Sequence, residues 1–427
     1  MVRKVGIAIL GLGVVGGGTY QTLVEHHDFY VKTQKVDITI EAVLTRSSAR
    51  LNELDVPQEC RAKSIEEVIA NPNVDIVVET IGGVGAARAF VEAALREGKT
   101  VVTSNKELIC KHSHELEQIA KRTGCGLYYE ACCVGGVPII RTLIDGVQAN
   151  KIQKMMGIVN GTTNYILTKM SNEGADYAET LKEAQKLGYA ETDPTNDVEG
   201  FDSMYKLSIL ASLAFHTKVP HTNIFREGIS KITAQDIAYG KEFGYVLKLL
   251  AIGKHTEKGV EVRVHPTFIP AKHPLASVSD AFNAVYLTGD AVDDIMLYGR
   301  GAGAFPTASA VVSDVIYAAT HAEIKYSTFK NTENADRKTK FITDFESAYY
   351  FRLTVDDRAG VLAKISGIFA KYNISIVELA QKNKLDNDKL SLLLITHKTR
   401  ENSIKRAVAK INESCVAKVE TVIRVES

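Results

Sequence analysis

Two periods of apolar residues run along this chain, and the places where they change divide it. In the first third, short and mostly apolar runs occupy residues 5–10, 38–44, 74–79, 100–103 and 126–130. Runs of that length suit strands buried on both faces. Between them lie stretches of helical spacing, one reaching about His26 and another over 86–97. Strands that alternate with helices in this way predict a doubly wound parallel sheet. Residues 139–147 carry helical spacing again.

After about residue 150 the pattern changes. A strand at 154–159 runs into Asn160-Gly161-Thr162-Thr163-Asn164, a turn-and-cap sequence that opens a helix. Helices are predicted over 177–186 and 202–214, with a further helix ending near Ile252 and strands near 260–269 and 284–288. Gly299-Arg300-Gly301-Ala302-Gly303 then turns the chain into a helix over 307–319, which would return it to the first unit. Residues 323–346 are polar and charged, and read as a linker. Beyond them comes strand 349–355, helix 361–372, strands 374–380 and 390–396, helix 403–413 and strand 416–425. The order βαββαβ is that of a ferredoxin-like module, near the smallest size that folds alone. The expected division is 1–150 (completed by about 300–322), 151–299, a linker at 323–347, and 348–427.

A length of 427 residues agrees with two or three domains. Lys plus Arg (51) balance Asp plus Glu (51), so no electrostatic footprint points to nucleic acid or to an anionic membrane. No apolar stretch approaches a membrane span. The N-terminal apolar run is punctuated by glycine and lacks a small-residue cleavage site, which favours a buried strand over a signal peptide. Cys60, Cys110, Cys125, Cys132, Cys133 and Cys415 form no C-x-x-C pair, and suit free thiols in a cytoplasmic protein.

The first predicted strand ends in Gly11-Leu12-Gly13-Val14-Val15-Gly16 and a helix follows, the setting a dinucleotide fingerprint requires. Gly11 permits the tight turn, Gly13 lets backbone approach a pyrophosphate, and Gly16 allows helix and strand to pack closely. The second strand ends Leu44-Thr45-Arg46-Ser47-Ser48 where an acid normally binds the ribose. Arg46 suits a 2′-phosphate, which favours NADPH; Asp37 and Glu41 keep NADH open. Thr80 and Lys106 fall at the carboxyl ends of later strands, where such sheets bind ligands. A lysine at a helix start is disfavoured by the helix dipole, so Lys106 calls for a specific role.

The densest chemistry is KLGYAETDPTNDVEGFDSMYK, residues 186–206, with Glu191, Asp193, Asp197, Glu199 and Asp202 followed by Lys206. Asp202 and Lys206 are one helical turn apart and share a face. Such a pair would bind a zwitterion and hold a transferable proton, or simply form a surface ion pair.

This block, together with Gly11–Gly16, Thr103-Ser104-Asn105-Lys106, Asn160–Asn164 and Gly299–Gly303, resembles homoserine dehydrogenase over nearly the whole chain. The resemblance implies a Rossmann domain, a central α+β substrate and dimerisation domain, and a C-terminal ACT domain. It implies NAD(P)H-dependent interconversion of L-aspartate 4-semialdehyde and L-homoserine in a homo-oligomer, dimer or tetramer. Lys206 would be the proton shuttle, Asp202 its orienting partner, and Lys106 the cation between nicotinamide and substrate. Glu191 and the backbone near Gly188 would hold the substrate amino group. Gly11, Gly13, Val14, Val15, Gly16, Arg46, Thr80, Ser104, Asn105, Lys106 and Gly303 would line the cofactor. A monovalent cation, Na⁺, would take main-chain oxygens of Glu130, Cys133, Gly135 and Val137. In the tail, Asp357, Gly360 and Asn373–Ile376 stand where ACT domains bind amino acids, with threonine the expected regulator. An unperturbed lysine is a poor base, and a nearby second charge such as Lys106 would lower its pKa. Two other readings share these residues: a dehydrogenase of another small amino or oxo acid, and a nicotinamide- and amino-acid-binding sensor without turnover.

Overall fold

The computed structural model describes residues 2–321, 339–385, 389–414 and 416–426. Most of the expected linker and Cys415 therefore lie outside the described residues.

The first part alternates strand and helix. Its strands are β1 (Arg3–Leu10), β2 (Val36–Leu44), β3 (Arg61–Ala62), β4 (Ile76–Glu79), β5 (Thr100–Thr103) and β6 (Leu127–Tyr128). Its helices are α1 (Val14–Glu25), α2 (His27–Gln34), α3 (Ser48–Glu53), α4 (Ile65–Ala70), α5 (Ala86–Arg96) and α6 (Lys106–Thr123). The strands form one parallel sheet in the order β3-β2-β1-β4-β5-β6, the Rossmann order. Helices cover both faces of the sheet, most completely at β1, where Ile7, Ala8, Ile9 and Leu10 have no exposed surface.

The central part follows as α7 (Ile139–Arg141), β7 (Ile152–Ile158), α8 (Gly161–Glu173), α9 (Tyr177–Lys186), α10 (Thr195–Val198) and α11 (Phe201–Ala214). It continues with β8 (Phe225–Arg226), α12 (Ala234–Glu242), β9 (Tyr245–Thr256), β10 (Gly259–Pro270), β11 (Phe282–Gly289) and β12 (Asp293–Arg300). Helix α13 (Ala304–Thr320) then packs along α1, with Val311 and Val315 joining the core that holds Ile7 and Ile9.

One expectation fails here. The helix predicted to end near Ile252 is the strand β9, and the helix before it, α12, stops at Glu242. The run Leu247–Ile252 is buried throughout, Lys248 included, so it shows no alternation, and a largely apolar run of this length does not distinguish strand from helix. Gly244, with φ of +79°, breaks the chain between the two.

The tail is β13 (Glu346–Asp356), α14 (Val361–Lys371), β14 (Ile376–Leu385), β15 (Lys389–Thr396), β16 (Thr399–Arg400), α15 (Glu401–Asn412) and β17 (Ala417–Val425). Its main strands lie in the order β17-β13-β15-β14, so the module is ferredoxin-like, as the sequence pattern predicts. Helices α14 and α15 pack on one face, with Phe351, Phe369, Ile365 and Ile411 fully buried. The tail does not stand apart. β17 pairs in parallel with β10 through Thr267–Arg424 and Phe268–Val425, which joins tail and central part in one eleven-stranded sheet.

Candidate active site

The glycine loop between β1 and α1 is built for close approach. Gly11 has φ of +92°. A Cβ on Gly16 would lie 2.0 Å from the Gly11 carbonyl oxygen and 2.6 Å from Thr80 Oγ1, so only glycine fits. A Cβ on Gly13 would meet nothing, which leaves the backbone there open. The Thr80 hydroxyl donates to the carbonyls of Leu10 (3.1 Å) and Gly11 (2.9 Å), tying the end of β4 to the loop. Gly13 precedes α1 and offers no side-chain cap, which leaves the first amides of that helix available to an anionic group. Gly303 likewise precedes α13 at φ of +118°.

Arg46 is exposed and without a side-chain partner among the described residues. Arg50, which sequence reading passed over, donates from Nε to the Leu12 carbonyl at 3.1 Å and lies over Gly17. Its only sequence signal is a basic residue one turn into the helix after β2. Asp37 is held by His27 at 2.9 Å, on the far side of β2 from a ribose role. Glu79 was also missed: it is fully buried, and accepts from the amides of Ile81 (2.7 Å) and Gly82 (3.1 Å) and from Thr103 Oγ1 (2.6 Å). It fixes the ends of β4 and β5 to each other. Asn105 caps α6 through Leu108 (3.1 Å) and donates to the Gly83 carbonyl (2.6 Å), and Ser104 leads into it from β5.

Two parts of the molecule meet at Asp202. Its Oδ1 lies 2.8 Å from Lys106 Nζ on α6, and its Oδ2 lies 2.8 Å from Lys206 Nζ on α11. Lys206 also donates to the Val159 carbonyl at 2.7 Å. Asp202 and Lys206 are buried, whereas the Lys106 side chain keeps 42% of its surface exposed. Burial works against the Asp202 charge, but Lys106 and Lys206 override it and hold the carboxyl well below the usual carboxylate range. The Asp202 charge raises Lys106 above the usual lysine value, against burial. Lys106 is thus not a bare second charge, as the sequence suggested, because a carboxylate stands between the two ammoniums. Asp197, raised by burial and by Asp202, lies at the rim. Glu191 and Gly188 stand apart in the loop after α9. The Glu191 side chain is exposed and has no partner among the described residues, and Gly188 has φ of +76° with open space beyond. That loop is seated on α8, since Thr162 Oγ1 donates to the Tyr189 carbonyl at 2.5 Å.

The Glu130 carboxylate is engaged by protein. Its oxygens accept from the amides of Ile140 (2.9 Å) and Arg141 (2.6 Å), and burial together with Asp314 pushes it up to about 8. Its side chain does not fit as a metal ligand. The main-chain carbonyls of Glu130, Cys133, Gly135 and Val137 belong to a tightly curled loop in which Val134 and Gly135 both have positive φ. Carbonyl oxygens are the donors a hard monovalent cation accepts, so the fit rests on backbone alone. Among the described residues no group of three or more His, Cys, Asp or Glu side chains is placed to hold a metal.

A Rossmann sheet with an open glycine loop, beside a buried carboxylate clasped by two lysines, defines a nicotinamide-dependent oxidoreductase acting on a small substrate. Comparisons with known proteins narrow this. Residues 138–316 match the homoserine dehydrogenase family, residues 11–130 its NAD-binding domain, and residues 349–415 the ACT domain. Homoserine dehydrogenase of Bacillus subtilis is 39% identical over 432 residues, covering 99% of each chain. The crystal structure of a homoserine dehydrogenase from Thiobacillus denitrificans superposes with a TM-score of 0.93 at 39% identity, covering 100% of this chain and 99% of that one. A hyperthermophilic archaeal homoserine dehydrogenase in complex with NADPH matches 74% of this chain and 97% of its own, with a TM-score of 0.63 and 28% identity. The chain belongs to the homoserine dehydrogenase family. It is an NAD(P)-dependent oxidoreductase that acts on a CH–OH group, and it carries a C-terminal ACT domain. Among the described residues no helix is long and apolar enough to cross a membrane.

Proposed function

We propose that Lys206 is the proton shuttle of L-homoserine oxidation and of the reverse reduction of L-aspartate 4-semialdehyde. The observation that carries this is the placement of its ammonium. Two of its three hydrogens go to Val159 O and Asp202 Oδ2, and one remains for a substrate oxygen. In the reductive direction that hydrogen passes to the oxygen as negative charge builds there; in the oxidative direction neutral Lys206 takes it back. The nicotinamide supplies or accepts the hydride. Asp202 orients Lys206, and Lys106, partly exposed and held among the described residues by Asp202, polarises the substrate oxygen. Glu191 and the Gly188 backbone take the substrate ammonium, which the unpartnered Glu191 carboxylate suits.

Gly11, Gly13, Val14, Val15, Gly16, Thr80, Ser104, Asn105, Lys106 and Gly303 line the cofactor. Arg46 and Arg50 flank the ribose end, so NADPH is favoured over NADH. Main-chain oxygens of Glu130, Cys133, Gly135 and Val137 take Na⁺, which would brace the loop leading to α7. The ACT domain senses an amino acid, threonine, in a dimeric or tetrameric assembly. Initial rates of L-homoserine oxidation with NADP⁺ and NAD⁺, with and without L-threonine, test these assignments. A lower KM for NADP⁺ and inhibition by threonine are expected; an NAD⁺ preference, or indifference to threonine, would remove the corresponding assignment.

A further inference from the structure

Asn160 precedes α8 and caps it: its Oδ1 accepts from the Thr163 amide and from the Thr163 hydroxyl, each at 2.9 Å. An amide N–H supplies no acceptor to a backbone donor, so this cap fixes which way the side chain points. Nδ2 must then face the other side, where two carboxylates wait. It donates to Asp197 Oδ1 at 2.7 Å and to Asp202 Oδ2 at 2.9 Å. The side chain is buried and uses its two donor hydrogens and its acceptor oxygen together. Ser, Thr and Asp cap helices about as well as Asn. None of them offers two hydrogens to a pair of acids, so helix capping alone does not account for asparagine here.

The contacts of Asp202 are consequently unequal. Oδ2 receives both Asn160 and Lys206, whereas Oδ1 receives Lys106, its one partner among the described residues. A half-turn of the carboxyl group would exchange the two oxygens at no cost in charge. The Asn160 amide and its anchor on Asp197 give a fixed reference against that exchange and bridge two acids that would otherwise repel. We propose that Asn160 is a positioning residue that locks the Asp202 carboxylate in register with Lys206 and leaves the Lys106 contact as the one that yields to substrate. This rests on the reading of Lys206 as proton shuttle.

The test uses the full-length enzyme with Asn160→Ser, Asn160→Asp and, in parallel, Lys206→Ala. Both Asn160 variants keep a capping oxygen, so NADP⁺ binding is expected near wild type; the melting temperature stays near wild type in Asn160→Ser and falls in Asn160→Asp, which adds a buried charge beside two acids. In Asn160→Ser, kcat for L-homoserine falls about ten- to a hundredfold, the loss of a charge-assisted hydrogen bond, while KM for NADP⁺ is unchanged. In Asn160→Asp the fall is larger, and the acid limb of the kcat/KM profile moves to higher pH. There a third carboxylate faces Asp197 and Asp202, in a cluster that otherwise holds Lys106, Lys206 and the thiols of Cys132 and Cys133. Wild-type kcat with an unmoved profile in either variant would reduce Asn160 to a helix cap, as would a lowered melting temperature with full turnover of the folded fraction. Lys206→Ala turning over at the wild-type rate would instead remove the shuttle assignment on which the proposal rests, so the two failures are told apart.

Discussion

Asp202 ties together side chains from two parts of the chain, Lys106 of helix α6 in the Rossmann part and Lys206 of the central helix α11. Its depressed pKa means that its ionic stabilisation is present above the ordinary carboxylate value of 3.8 and is lost as pH falls further. That of Lys106, whose pKa is raised, is present below 10.5 and lost as pH rises beyond it. The cluster is therefore intact across neutral pH. Asp202→Asn should keep the fold and lower kcat by about 10²- to 10⁴-fold, the range of a disabled proton-transfer unit, measured at saturating L-homoserine and NADP⁺. A fall of less than threefold would contradict its role. A second titration is independent of catalysis. Lys248 is buried on β9 and donates to Asn164 Oδ1 at 3.3 Å and to the Val278 carbonyl. Burial pulls it down to about 8. Between about 8 and 10.5 the unfolded chain then binds the extra proton, so this group makes stability rise with pH in that window. Lys248→Met should flatten that slope in thermal melts at constant ionic strength, and an unchanged slope would refute it.

At the scale of elements, what could be read from the sequence depended on whether a signal was local. The glycine loop was legible because its spacing is dictated by one turn: Gly16→Ala would drive a methyl into the Gly11 carbonyl. That variant should raise KM for the nicotinamide cofactor at least about tenfold while leaving far-ultraviolet circular dichroism intact; an unaltered KM would exclude the close packing described. The Asp202–Lys206 pair was legible for the same reason, as one turn of one helix. Lys106 was suspected from its position at a helix start, but its bridge to Asp202 spans 96 residues of sequence and needed the fold. Asn160 was legible as a cap and not as an anchor, because the acids it holds come from α10 and α11. Strand β9 was misread, since burial on both faces erases the alternation that marks a strand. Arg50 and Glu79 gave no local signal stronger than an ordinary charged residue near a strand end.

Across the whole molecule, the ACT domain is linked to the start of α11 through sheet and charge together. Strand β17 continues the central sheet beside β10, and from β17 Arg424 forms ion pairs with Glu401 (2.6 Å) and with Glu227 (2.6 Å). The neighbour of Glu227, Arg226, donates to the Glu199 carbonyl and stacks on the Phe201 ring 3.6 Å from its centroid. Phe201 opens α11, one residue before Asp202. A shift of β17 therefore has a short mechanical route to the Asp202 carboxylate, one that joins residues nearly 200 positions apart and left no trace in the sequence pattern. Glu227→Gln, which touches no substrate, should retain basal kcat within about twofold and lose at least half of any response to L-threonine. An unchanged threonine response would show that coupling runs elsewhere.

The proposed role of the Lys106–Asp202–Lys206 cluster is proton transfer in homoserine oxidation. Its most direct test is homoserine-dependent NADP⁺ reduction by the wild type and by Lys206→Ala, side by side, with NADP⁺ binding measured on both. Turnover by the wild type and a loss of about 10²-fold or more in the variant, with NADP⁺ still bound, is the expected result. Equal turnover in the two proteins would contradict it.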